Sequence, residues 1–196
     1  MLSVLSAIVA GGLYFKLWNQ QSESFIGVTI IAVSALVSLL YVKRIKGRNL
    51  REIPYIKIHL IALTWVVVLI AFPMLNEGET DQLVWISVAH YLYVLAVTIP
   101  FDIRDLKYDN PSQKTIPQVI GVEASRILSL FLLVVFSVMM LYIDPRLWAN
   151  AMFYTAVLIQ MLLVLLMNED RPDTYCAGYI DGAIAILGLS YYYCAI

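Results

Sequence analysis

Three aspartates stand close together in FDIRDLKYDNPSQKTIPQVIG, at Asp102, Asp105 and Asp109, with the spacing D-x-x-D-x-x-x-D. On a helix turning 100° per residue, Asp105 and Asp109 fall within about 60° and about 20° of Asp102, so all three carboxylates share one face. Carboxylates gathered on one face repel each other unless a cation lies among them. Mg²⁺ suits such a set, because it takes oxygen ligands, keeps several waters and bridges one or two carboxylates to phosphates. Asp102, Asp105 and Asp109 are therefore candidate metal ligands, and a metal-bridged diphosphate is their natural occupant. Lys57, Arg104, Lys107 and Lys114 are candidates to add positive charge around it. The bland alternative is an interfacial loop whose acids pair with those same bases. The position at the mouth of an apolar segment favours a site, since ionisable groups at membrane depth are costly.

Those residues need a scaffold, and the composition says which kind. The 196-residue chain is 61% hydrophobic and only 14% charged, with a net charge of −1. Its mean hydropathy is +0.81. That exceeds what a soluble core explains, so the expected fold class is all-α, a polytopic membrane helix bundle of about seven transmembrane helices. The near-neutral charge gives no reason to expect a nucleic-acid partner. Cys176 and Cys194 lack metal-ligand spacing and read as free buried or interfacial thiols.

A span needs about 20 mostly apolar residues. Seven stretches are candidates, at 2–15, 25–42, 56–72, 83–100, 127–143, 147–167 and 178–195. The loop after the second carries Lys43, Arg44, Lys46, Arg48, Arg51 and Lys57 against Glu52 alone. Such a loop is expected on the cytoplasmic side of a cell membrane. Alternation then puts the N-terminus inside and the C-terminus outside, with Tyr191, Tyr192 and Tyr193 as an outer aromatic belt. Loops are expected at 43–56 and 101–126. Pro111 should end the aspartate helix near Asp109. No linker, low-complexity run, internal repeat or second domain is visible, so residues 1–196 read as one membrane domain.

DIRDLKYDNPSQKTIPQVIG resembles the second aspartate-rich motif of the UbiA-type intramembrane prenyltransferases. The likeness extends through Thr115, Ile116, Pro117 and Gly121, which match that motif's T-[IL]-P-x-x-x-G ending. Tyr108 and Asn110 depart from its usual Gly and Arg. Upstream, Pro54 and Lys57 match a cytoplasmic Y-P-x-x-K-R element, with Ile53 and Ile58 in place of its Tyr and Arg.

The resemblance implies helices three to nine of a nine-helix fold, without the first two helices and the first motif, N-D-x-x-D-x-x-x-D. It implies a Mg²⁺-dependent transfer of a prenyl group from an isoprenoid diphosphate to a lipophilic, often aromatic, acceptor. It assigns no residue here as a covalent or acid–base catalyst. The missing carboxylate set has three expected origins: a start upstream of Met1, a second chain supplying the helices, or a degenerate homologue that binds lipid or isoprenoid without turnover. A transporter would show Gly/Pro-broken helices in paired positions, and none are present.

Other polar residues in the spans have plainer readings. His59, His90 and Gln160 are expected to make interhelical hydrogen bonds. Asp181 is expected near the start of the last helix, where the helix dipole favours it. Glu169, Asp170 and Asp173 read as a solvated loop, and as the local candidates to replace lost carboxylates.

Overall fold

The computed structural model describes residues 56–78 and 80–195. The expected spans at 2–15 and 25–42, and most of the basic loop that sets the orientation, lie outside these residues. Among the described residues all regular structure is helical. Helix α1 (Ile56–Val66) continues through a π-helical turn (Val67–Ala71) into α2 (Phe72–Asn76). Next come α3 (Leu83–Arg104), α4 (Ile116–Ile143), α5 (Ala151–Leu165), a π-helical segment (Tyr175–Ile180) and α6 (Asp181–Ala195).

Among the described residues, three helices are long and apolar enough to cross a membrane: Ile56–Leu75, Leu83–Lys107 and Ile116–Ile143. Helix α5 is apolar but has 15 residues, about 22 Å at 1.5 Å per residue. The expected span at 147–167 is thus shortened at its start. Pro145–Ala149 forms a 3₁₀ turn, and Asn150 caps α5 by accepting from the backbone N–H groups of Met152 and Phe153.

Helix α4 shows the sidedness of a membrane helix. Ser125, Ser129, Leu133, Phe136 and Met140 are buried, while Ile127, Phe131, Val134 and Val138 are exposed. Both faces are largely apolar, as they are where the outer face meets lipid. The helix also starts eleven residues before the expected Ile127. Its charged first turns are held by local partners rather than by water alone: Arg126 pairs with Glu123 and donates to the Leu165 carbonyl at 3.1 Å.

Helix α3 is central and packs on α1, α4 and α5. Ala89 and Ala96 on it, with Ser125 and Ser129 on α4, are small residues that let the backbones approach. Pro100 lies inside α3. Having no N–H, it cannot bond the carbonyl four residues back, that of Ala96. The Ser129 hydroxyl donates to that oxygen at 2.7 Å, so a neighbouring helix satisfies a group that hydrocarbon would not.

Candidate functional site

The aspartate stretch does not continue as one α-helix. Helix α3 ends at Arg104, Asp105–Lys107 is a 3₁₀ turn, and the backbone N–H groups of Tyr108 and Asp109 both bond the Asp105 carbonyl. Asp109 therefore lies beyond the helix, and the shared helical face holds only for Asp102 and Asp105. Residues 101–104 are helical, and so are 116–126 apart from a kink at Gly121, which corrects the expected 101–126 loop. The T-I-P-Q stretch then anchors the turn. Gln118 accepts from the Thr115 N–H at 3.1 Å, and its amide donates to the Asp109 and Asn110 carbonyls at 3.3 Å each. Gly121 explains the motif's last glycine. It has φ 82° and ψ 166°, a conformation that side-chain-bearing residues avoid.

Lys57 closes the arrangement. It lies in the first turn of α1 rather than in the loop before it, 45 residues from Asp102. Its ammonium donates to Asp102 at 2.7 Å and to Asp109 at 3.1 Å. All three residues are buried. Asp105 is turned instead to the Arg104 guanidinium, at 2.8 Å. Arg104 also lies 3.5 Å from Asp173, and Lys107 donates to Asp170 at 2.6 Å. Arg104 and Lys107 thus tie the 168–174 loop to the end of α3. Lys114 lies just before the Thr115 cap with φ 49° and does not line the cavity described next.

Among the described residues, no group of three or more His, Cys, Asp or Glu side chains is placed to hold a metal ion. Asp170 and Asp173 pair with bases rather than facing Asp102, so the loop does not rebuild a second carboxylate set there.

Behind this mouth lies a cavity of about 600 Å³. Its walls are stripes at helical spacing: Lys57, Ile61 and Trp65 on α1, with Leu69 on the π-helical turn that follows; Tyr93, Val97 and Phe101 on α3, with Asp105 just past its end; Asp181, Ile184, Gly188 and Tyr191 on α6. From Asp105 to His90 it follows α3 for about 22 Å at 1.5 Å per residue. The walls are mostly apolar, with charge concentrated at one end.

The remaining polar residues divide. His59 Nδ1 lies 2.6 Å from the Tyr91 hydroxyl, the expected interhelical bond between α1 and α3. His90 instead bonds within its own helix, to the Ile86 carbonyl at 2.9 Å. Gln160 is buried with both amide atoms lacking a hydrogen-bond partner among the described residues, contrary to expectation. Asp181 is the first residue of α6, as expected, with the π-helical segment running into it without a break, and it lines the cavity. Tyr191 turns inward against His90, while Tyr192 and Tyr193 are exposed. Cys176 is a buried free thiol. Asp181, His90 and Tyr93 line one cavity, and nothing local in the sequence showed that.

Comparison with protein-family models, with curated proteins and with solved structures finds no match to this chain.

Proposed function

We propose that the chain is a UbiA-like membrane prenyltransferase component that seats an isoprenoid diphosphate with its tail in the cavity and its head at Lys57. The observation that carries this reading is one long apolar cavity ending at a buried lysine held between two aspartates. A long apolar tail finds walls along α1, α3 and α6, and the Lys57 ammonium offers donors to phosphate oxygens. Mg²⁺ is what the resemblance implies, but the aspartates do not fit it as they stand: the Lys57 ammonium holds Asp102 and Asp109, and Asp105 is turned to Arg104. Asp102, Asp105 and Asp109 would hold it only once a diphosphate had drawn Lys57 and Arg104 away. When bound, it would neutralise charge on the departing diphosphate. The cavity walls would keep the tail and a lipophilic acceptor away from bulk water. The second carboxylate set of the family chemistry is not among these 196 residues; the proposal places it on a segment or a chain outside them, and the cell membrane is the proposed location.

A second reading is a non-catalytic lipid- or isoprenoid-binding subunit. It is favoured by Lys57 already compensating two of the three aspartates. The test uses the full chain in lipid nanodiscs with farnesyl diphosphate and Mg²⁺. The enzyme reading expects diphosphate release and prenyl transfer to an added phenolic acceptor, lowered about 100-fold or more by Asp102→Asn or Asp105→Ala. Binding without release would select the second reading. Absence of binding would overturn both.

A further inference from the structure

Five exposed aromatic side chains collect at the end of the bundle away from the aspartates. Trp85, Tyr142, Trp148, Tyr192 and Tyr193 are 63 to 87% exposed. Bonds between helices fix their common height. Helices α3 and α4 run antiparallel, with Ser129 on the Ala96 carbonyl at 2.7 Å and Phe136 against Tyr93 at 4.7 Å between ring centroids. Counted from the Ser129 contact, Tyr142 stands about 20 Å and Trp85 about 16 Å along the bundle at 1.5 Å per residue. The Asn150 amide donates to the Ser190 carbonyl at 2.8 Å, which brings Trp148 and the last turn of α6 to the same end. Tyr191 against His90 ties that turn to the first half of α3.

Below this belt the outer surface of α4 and α5 carries no charge. No Asp, Glu, Lys or Arg lies between Arg126 and Asp144, or between Arg146 and Glu169. Ile127, Phe131, Val138, Leu158 and Leu162 face outward, each more than half exposed. Arg126 and Arg171 close the band at the other end. They donate to the Leu165 and Leu166 carbonyls at 3.1 Å each, where α5 has run out of its own N–H groups. Guanidinium groups at that rim complement lipid phosphates, as Trp and Tyr rings suit the headgroup level at the opposite rim.

The band is narrow. From Arg126 to Tyr142, α4 crosses about 24 Å, and the 15 residues of α5 cross about 22 Å. A typical hydrocarbon core is about 30 Å thick, and any tilt shortens the band further. Helix α3 is longer, but its last turns are buried at the aspartates and present little surface to lipid. We propose that the lipid-facing surface is built for a thin bilayer of phospholipids with short acyl chains, with the five-residue aromatic belt in one interface and Arg126 and Arg171 in the other. This surface is separate from the cavity and needs no ligand at Lys57.

The test reconstitutes the full chain in vesicles of dibrominated dioleoyl phosphatidylcholine mixed with one unbrominated phosphatidylcholine. The series is dimyristoleoyl, dipalmitoleoyl, dioleoyl, dieicosenoyl and dierucoyl, in order of chain length. Relief of tryptophan quenching gives each lipid's relative binding constant. Dimyristoleoyl or dipalmitoleoyl should bind most strongly, about two- to fivefold above dierucoyl. Strongest binding by dioleoyl or a longer lipid would overturn the proposal. So would equal binding across the series, or a chain that does not enter the vesicles. Depth is read separately, with lipid brominated near the headgroup or near the chain ends. Trp85→Phe and Trp148→Phe, both at exposed positions, should each lower quenching by the first lipid and leave quenching by the second nearly unchanged. Loss of the deep quenching instead would put the belt inside the hydrocarbon and overturn the assignment of the rims.

Discussion

A buried ammonium between two buried carboxylates is held by partners that must all be present. Lys57 donates to Asp102 and Asp109 across two helical elements. Removing it would take the shared ammonium from two buried carboxylates, and breaking a buried ion pair costs about 3 to 5 kcal/mol. Lys57→Met should therefore destabilise the chain by about that much in detergent unfolding, and adding Asp102→Asn should recover part of the loss. A cost below about 1 kcal/mol would match an exposed ion pair and would contradict the burial. At this same scale the aspartate spacing is legible in the sequence, but the pairing of Asp105 with Arg104 is not. A helical projection assumes that the helix persists, and it ends at Arg104.

Two backbone features govern the elements around the site. Pro100 frees the Ala96 carbonyl and Ser129 occupies it. Ser129→Ala should cost about 1 to 3 kcal/mol, the penalty for a buried unpaired acceptor. In a Pro100→Ala background the restored N–H can serve that oxygen, so the same change should cost much less. Additive losses in that double-mutant cycle would refute the account. Gly121 holds φ 82° at a kink inside α4, and an added Cβ there meets nothing within 4 Å. The cost of Gly121→Ala is then backbone strain alone, about 1 to 3 kcal/mol. A variant as stable as wild type by thermal unfolding would show that the kink is dispensable. The sequence displayed Pro100 and Gly121, but only the packed helices show what each of them requires of its surroundings.

For the whole molecule, the cavity between α1, α3 and α6 is the feature on which function turns. Gly188 lines it, and a Cβ there also meets nothing within 4 Å. Gly188→Leu should project into the cavity without a clash. Helix propensity favours the change by up to about 1 kcal/mol, so folding should be retained while uptake of farnesyl diphosphate falls. Unchanged uptake, measured by equilibrium binding in nanodiscs, would place the ligand elsewhere.

The sequence by itself determined what depends on local composition and order. Long apolar runs made the described residues helical and gave, among them, three helices long and apolar enough to cross a membrane. Period and charge marked the aspartates and Lys57 as a group worth examining. Helix ends were less legible, because charges that seemed to exclude residues 116–126 from a helix are paired there, Arg126 with Glu123 and with the Leu165 carbonyl. Tertiary structure alone decided which charges meet: Lys57 with Asp102 and Asp109, Lys107 with Asp170 63 residues away. It also decided that Asp181, His90 and Tyr93 face one cavity. The physical reason is one of range. Hydropathy and helical period act over a few turns, whereas the partner of a buried polar atom is chosen by which helices pack together.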